Sequence, residues 1–262
     1  MTELRPNRAK RKLQADEPVF VPILGASSTP DLDTLDQLGS LGVIDVAWIE
    51  MEHGPWTWRE LSDASRVCDL WGITSLVRVN FNDPAIIGRT LDRGIQAVLV
   101  PHVSTKAEAE CVVEGAYYAP KGLRGMGASR QGHGVPNYLQ KANDEVMVVV
   151  LLEEMEAIRN LDEILTVDGI DCFFVAPADL AQTMGPQYLG QPFHADVQEV
   201  VRDSIRRIVS AGHRTGTLVN EATVDGMLEL GVRFLRFSAI SYMQEGLQRF
   251  HSRVTSTLEM RG

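Results

Sequence analysis

The run VMVVVLLEE, residues 146–154, decides how the rest of the chain is read. Seven apolar residues, Val146 to Leu152, lead directly into two acids, Glu153 and Glu154. A compact run rich in Val and Leu is what a strand covered on both faces of a parallel sheet looks like. Similar short runs recur along the chain. Candidate strands are Val19–Leu24, Val43–Glu52, Thr74–Val79, Gln96–Pro101, Val146–Glu153, Asp171–Val175, Arg214–Val219 and Phe234–Phe237. Helical patterns lie between them, near Thr34–Leu41, Trp58–Trp71, Pro84–Arg93, Lys106–Tyr118, Ala157–Thr166, Ala195–Ala211, Ala222–Leu230 and Ser241–Leu258. Local signals agree with this alternation: Asn82-Asp83-Pro84 offers cap residues and a first-turn proline, and Gly94 stops the helix after Asp92-Arg93.

Eight strands alternating with eight main helices, with no Ser/Pro-rich linker, predict an α/β fold in which residues 1–262 form a single (β/α)8 TIM barrel. The length of 262 residues suits one such barrel. An open doubly wound sheet lacks support, because the chain contains neither Gly-x-Gly-x-x-Gly nor a Walker A motif. Residues 119–145 interrupt the rhythm. This stretch is long, polar and Gly-rich, and is expected to contribute to the site, together with Trp56 and Trp58.

Composition narrows the partners. Apolar residues make up 44% and charged residues 23%, which excludes disorder, collagen and coiled coil. The seven-residue run is the longest apolar one, far short of the roughly 20 needed to span a bilayer. The N-terminus shows no secretory signal, and Cys68, Cys111 and Cys172 are spaced for neither a disulfide framework nor a zinc site, so a reducing cytoplasm is expected. The net charge is −10, unevenly spread. Residues 1–15 carry Arg5, Arg8, Lys10, Arg11 and Lys12 against Glu3, and the remainder carries the opposing excess of acids. Such a body repels nucleic acid. The short basic start is expected to be a solvated helix rather than a tail that touches an anionic partner.

Chemistry in a barrel sits where strands end. Five successive strand ends carry charge or imidazole: Glu50-Met51-Glu52-His53, Arg78, His102, Glu153-Glu154 and Asp179. A charge bordering a buried run is costly unless it is paired or metal-bound. Glu153 and Asp179, from different strands, would suit a hard divalent ion. Taken singly, each is better explained as a helix N-cap. Arg78 requires an anion, either a ligand or a buried ion-pair partner. His53 follows two acids and is read as a base or a satisfied loop histidine. His102 is expected at the mouth and His133 in a loop. Arg124 and Arg130 lie in a glycine-rich segment that would cradle an anion or simply turn tightly. No lysine falls among the strand ends, which disfavours Schiff-base chemistry.

The order and spacing of several segments resemble the HpcH/HpaI aldolase family. They are Glu52-His53, Val77-Arg78-Val79, Asn82-Asp83-Pro84 with Leu91-Asp92-Arg93-Gly94, Gly122 to Gly125, Glu153 with Asn160 to Glu163, and Pro177-Ala178-Asp179-Leu180. The resemblance implies a barrel of the phosphoenolpyruvate/pyruvate superfamily. It implies a metal-dependent (class II) pyruvate aldolase of the 4-hydroxy-2-oxo-heptane-1,7-dioate or 2-dehydro-3-deoxyglucarate type, active in aromatic compound catabolism. The cofactor would be Mg2+, Mn2+ or Co2+. Partners would be a 2-oxo acid, an aldehyde and further copies of the chain, commonly in a hexamer whose last helix packs on a neighbour.

Position by position, the resemblance makes Glu153 and Asp179 metal ligands and puts the Ala178–Asp179 backbone on the substrate carboxylate. Arg78 would stabilise the enolate, His53 would accept the proton, and Asp92 would raise that histidine's basicity, also across a subunit boundary. Three positions depart from the family pattern. Leu151 stands where glutamine is usual and makes that substrate-binding wall apolar, Ala176 replaces glycine, and Glu50 replaces aspartate. The expected reaction is reversible cleavage of a 4-hydroxy-2-oxo acid. The alternatives are an acyl-CoA or citrate-type lyase, for which Arg124 and Arg130 would hold phosphate, and a non-catalytic keto-acid-binding barrel.

Overall fold

A computed structural model describes residues 3–24, 31–127 and 129–259. Helix α1 (Arg8–Gln14) precedes β1 (Val19–Ile23), followed by α2 (Leu32–Ser40), β2 (Val46–Glu50), α3 (Trp58–Trp71) and β3 (Thr74–Arg78). The chain continues through α4 (Pro84–Asp92), β4 (Ala97–Val100), α5 (Lys106–Ala116), α6 (Tyr138–Glu145) and β5 (Met147–Leu152). Two short helices, α7 (Met155–Arg159) and α8 (Leu161–Ile164), lead to β6 (Cys172–Val175) and α9 (Pro177–Met184). Last come α10 (Ala195–Ser210), β7 (Thr215–Leu218), α11 (Val224–Glu229), β8 (Val232–Ser238) and α12 (Ala239–Glu259). All eight expected strands are present. Helices α6 and α9 add to the expected set, and the single helix expected near residues 157–166 is broken in two at Asn160.

The strands form one sheet ordered β1-β8-β7-β6-β5-β4-β3-β2, every ladder parallel. The remaining seam, between β1 and β2, is bridged by Asp45. Its N–H donates to the Phe20 carbonyl at 3.0 Å, and its Oδ2 accepts the Phe20 N–H at 2.9 Å. The fold is therefore a nearly closed (β/α)8 barrel.

Strand alternation divides the side chains between two layers. Val19, Val21, Val46, Trp48, Leu76, Leu99, Val149, Leu151, Phe174 and Phe234 form the cluster inside the barrel. Ile49, Val77, Val98, Val150, Phe173 and Val175 belong to the cluster beneath the helices. Inside, Trp48 meets Phe174 edge to face at 6.1 Å, and Phe174 meets Phe234 at 6.0 Å. Gly216 on β7 permits this stack, since a Cβ there would come within 2.9 Å of both the Phe234 Cβ and its carbonyl oxygen. Truncating such a buried ring typically costs about 3–5 kcal/mol. The aromatic layer fills the barrel and forms the floor of its mouth.

The basic N-terminal segment differs from expectation. It is helical, yet only one side of it is solvated: Arg8, Arg11 and Gln14 are exposed, whereas Ala9, Lys10 and Leu13 are buried. Helix α1 packs at the N-terminal ends of the strands, with Ala9 and Leu13 in the same cluster as the barrel interior. The Ala9 N–H donates to Thr74 Oγ1 at 3.1 Å, buried Lys10 donates to the Val146 carbonyl at 2.6 Å, and Lys12 pairs with Asp45 at 2.7 Å. The local positive charge meets acids and carbonyls at the barrel's floor.

Residues 119–145 also lie elsewhere than expected. They join the end of α5 to the start of β5, so the parallel topology puts them at the N-terminal face of their own barrel, away from the mouth. Their arginines are held internally. Arg124 pairs with Asp92 at 2.6 Å, and Arg130 pairs with Asp69 and Ser65. Among the described residues no helix is long and apolar enough to cross a membrane. The three cysteines are free, with Cys68 and Cys172 buried.

Candidate active site

The C-terminal ends of β2 and β3 deliver a carboxylate–guanidinium cluster. Buried Glu50 ends β2 facing inward, two residues beyond Trp48. Its Oε1 accepts the N–H groups of Glu52 (2.8 Å) and His53 (3.2 Å). Its Oε2 accepts Trp48 Nε1–H (3.2 Å) and Arg78 Nε–H (2.7 Å). Arg78, the last residue of β3, also reaches Glu52 through Nη1 at 2.9 Å. The buried ion pair weighed for Arg78 from sequence therefore exists, and it lies at the mouth. The contacts hold the guanidinium in one orientation, which matters for a group that must meet a developing charge.

β4 and β5 bring a second cluster. Glu153 follows β5 on its inward face, with only 2% exposure, and its Oε1 accepts the His102 N–H at 2.7 Å. His102 has φ +55°, a left-handed conformation uncommon outside glycine and most often met with Asn, Asp or His. That backbone turn accompanies an N–H aimed at Glu153 and an imidazole whose Nδ1 lies 2.9 Å from Glu154. Its Nε2 lies 3.4 Å from Glu52. Burial disfavours the imidazolium, but Glu154, Glu153 and Glu52 outweigh it and raise the His102 pKa. Burial pushes the Glu153 carboxyl up to about 7; the His102 N–H and imidazole oppose this, while Asp179 and Glu52 raise it further.

Neither Glu153 nor Asp179 is a helix cap. The residue at the N-cap of α7 is Glu154, that of α9 is Ala176, and neither makes a side-chain capping bond. Asp179 sits in the first turn of α9 after Pro177 and exposed Ala178, at the mouth by topology. Two oxygen-donor carboxylates, with the charge of Asp179 opposing the ionisation of Glu153, fit a hard divalent cation, whose charge would offset that repulsion. Among the described residues no group of three or more His, Cys, Asp or Glu is placed to hold a metal ion.

His53 begins the β2–α3 connection. Its imidazole is largely exposed, and its nearest acid is Glu52 at 3.8 Å. Asp92 does not reach it within one chain: α4 runs away from the mouth, and Asp92 ends it in contact with Arg124. Leu151 is buried inside the barrel on the face of β5 that also carries Glu153. Trp58 packs under Arg89 at 4.2 Å, whereas Trp56 lines a surface cavity with Asp31, Leu32 and Glu60. His133 follows a single helical turn at Arg130–Gly132, in the segment away from the mouth.

One residue of the mouth escaped the sequence reading. Arg236 lies on β8 two residues beyond Phe234, with its guanidinium 5.0 Å from the Trp48 ring centre. Burial lowers its pKa to about 10, as does Arg78, while Glu50 and Asp179 oppose the shift. The signal was available: an arginine within an apolar strand, as at Arg78.

A profile of the HpcH/HpaI aldolase/citrate lyase family matches residues 32–238. The chain is 36% identical over 234 residues to a 4-hydroxy-2-oxo-heptane-1,7-dioate aldolase of Shigella flexneri, covering 87% of this chain and 85% of the relative. Its fold is similar to a HpcH/HpaI aldolase/citrate lyase family protein from Burkholderia cenocepacia, with TM-score 0.84, 28% identity, and 95% and 99% coverage of the two chains. It also resembles a HpcH/HpaI aldolase from Desulfitobacterium hafniense, with TM-score 0.81, 26% identity and 95% coverage of both chains. With the barrel and the charged strand ends described above, these matches identify the chain as a carbon–carbon lyase that belongs to the HpcH/HpaI aldolase/citrate lyase family.

Proposed function

We propose that the chain is a divalent-metal-dependent aldolase that reversibly cleaves 4-hydroxy-2-oxo acids to pyruvate, or a close 2-oxo acid, and an aldehyde. The observation that carries this reading is the pair Glu153 and Asp179, two carboxylates at the mouth that serve no capping role, close to an anchored Arg78. These acids would hold Mg2+, Mn2+ or Co2+. When bound, the ion supplies Lewis-acid polarisation of the 2-oxo group.

The chain's own residues do the rest. The backbone at Ala178–Asp179, in the first turn of α9, receives the substrate carboxylate where helix N–H groups lack intrahelical partners. Arg78 holds a fixed positive charge toward the C2 oxygen as negative charge develops there. His53 accepts the proton of the C4 hydroxyl during cleavage and returns it in the aldol direction. Leu151 presents an apolar wall to the keto acid. Arg124 and Arg130 are occupied by Asp92 and Asp69, so the support they gave to a CoA-binding lyase is withdrawn.

The reading includes a homo-oligomer, a hexamer by family resemblance. Helix α12 exposes Ile240, Met243, Leu247, Phe250 and Val254, spaced three and four residues apart on one stripe. An apolar groove of about 200 Å³, lined by Phe20, Val219, Leu235 and Phe237, opens beside it. A neighbour's last helix is the occupant this stripe and groove fit. The reading also assigns Asp92 to a partner subunit's His53, since within one chain Asp92 pairs with Arg124 and does not reach His53.

The test is proton exchange. Pyruvate, Mn2+ and enzyme in deuterated water should lose the methyl proton signal, EDTA should stop the loss, and Arg78→Ala should slow it about 100-fold or more. Full exchange and full cleavage by Arg78→Ala would refute the assignment.

A further inference from the structure

His102 stands among the acids of the mouth, and the proposed mechanism gives it no part. It lies two residues beyond β4, after Pro101. Its N–H donates to Glu153 Oε1 at 2.7 Å. Its imidazole is set between Glu154, 2.9 Å from Nδ1, and Glu52, 3.4 Å from Nε2, and Nδ1 also lies 3.3 Å from Glu153 Oε1. Both flanking acids are themselves held. Glu52 pairs with Arg78 at 2.9 Å, and Glu154 accepts Ser104 Oγ–H at 3.2 Å. His102 therefore links the Arg78 cluster of β2 and β3 to the Glu153 side of the mouth.

In a strand, backbone N–H groups point sideways to the carbonyls of a neighbouring strand. At φ +55° the His102 backbone leaves that pattern, and its N–H meets a side-chain oxygen instead. Glu153 is only 2% exposed, and among the described residues every hydrogen bond and ion pair of its carboxylate falls on Oε1. A buried carboxylate with one oxygen committed and the other unmatched is unfavourable until the second oxygen gains a partner. We propose that His102 is a positioning residue for Glu153: its left-handed turn fixes Oε1 on the backbone N–H and so assigns Oε2 to the cation. The imidazole, held between Glu154 and Glu52, keeps the backbone in that turn. This rests on the reading of Glu153 as a metal ligand. The gain is preorganisation, because a ligand already held by a second partner loses less freedom when the ion binds.

Titration of the EDTA-treated protein with Mn2+, followed by the electron paramagnetic resonance signal of the free ion, reads affinity without turnover. His102→Asn removes the imidazole but has its own tolerance of the left-handed turn, and should bind Mn2+ within about 3-fold of wild type. His102→Val is β-branched and resists that turn, so it should bind about 10- to 100-fold more weakly. Wild-type affinity in His102→Val overturns the proposal, including the case in which the metal-free variant melts lower, since the turn would then serve the fold alone. Equal weakening in His102→Asn and His102→Val also overturns it, because the effect would then lie in the imidazole and not in the turn. If the valine variant does not fold, His102→Ala against His102→Gly makes the same contrast, with the imidazole absent from both. Glu153→Gln tests the underlying reading. Wild-type Mn2+ affinity in that variant removes Glu153 as a ligand and the proposal with it, whereas weak binding there beside tight binding by His102→Val removes only the role of His102.

Discussion

Replacing Glu50 with glutamine changes one atom's chemistry at the most connected acid of the site. Among the described residues the carboxylate accepts hydrogen bonds at both oxygens: Glu52 and His53 backbone N–H on Oε1, Trp48 Nε1–H and Arg78 Nε–H on Oε2. An amide has one acceptor oxygen, and its NH2 can only donate. Whichever way the introduced amide is turned, one pair of donors faces an NH2 group. Turning the oxygen toward the backbone loses a charged bond from Arg78, worth about 1.5–3 kcal/mol, and a neutral bond from Trp48, worth about 1 kcal/mol. Arg78 retains Glu52 at 2.9 Å, which keeps the cost below that of an isolated buried charge. The expected loss for Glu50→Gln is about 3 kcal/mol. In a chain of this size that lowers the melting temperature by about 6–12 °C. Arg78 also loses its orientation, so pyruvate methyl exchange should fall at least about 10-fold. Thermal unfolding by circular dichroism and exchange by NMR measure the two effects. A variant that melts within about 2 °C of wild type and exchanges at the wild-type rate would falsify the account of Glu50 as the anchor of Arg78.

Metal addition should raise the melting temperature of EDTA-treated protein, with about 2.7 kcal/mol of stabilisation at 100 times the dissociation constant, and Glu153→Gln should abolish the rise. Asp45→Ala removes the acceptor of Phe20 N–H and the partner of Lys12 at the barrel seam, and should cost about 3 kcal/mol in urea unfolding; a loss under about 0.5 kcal/mol would show that the seam closes without it. Leu247→Lys combined with Phe250→Lys should shift sedimentation to smaller species, and an unchanged profile would remove α12 as the interface. Mixed oligomers of His53→Asn and Asp92→Asn subunits should regain activity that neither variant has alone. Failure of that complementation would remove the cross-subunit role of Asp92.

The barrel was legible because its signals are local. Apolar runs such as Val146 to Leu152 need cover on both faces, and caps such as Asp83 before Pro84 start helices wherever they fold. The expected helix Trp58–Trp71 forms with those bounds, and Gly72 ends it at φ +65°. The strand-end acids were legible for the same reason, since a charge bordering a buried run stands out in one dimension. Arg236, between Leu235 and Phe237, carried a signal that was ambiguous, because a charge within an alternating strand reads equally well as an outward-facing residue.

What one dimension could not supply was direction and distance. Composition marked residues 1–15 as basic, but only the fold showed Lys10 and Lys12 satisfied by Val146 and Asp45, residues more than 30 positions away. Spacing left Glu153 and Asp179 as caps or ligands; the three-dimensional placement of Glu154 and Ala176 at the N-cap positions released both. Sequence also could not tell which end of the barrel residues 119–145 occupy, because that follows from strand direction and not from polarity. The sequence by itself therefore determined the architecture and the kinds of side chain at the mouth, since both follow from local periodicity and burial. The tertiary structure decided which of those side chains meet, because a charge takes its partner from neighbouring strands and not from neighbouring residues.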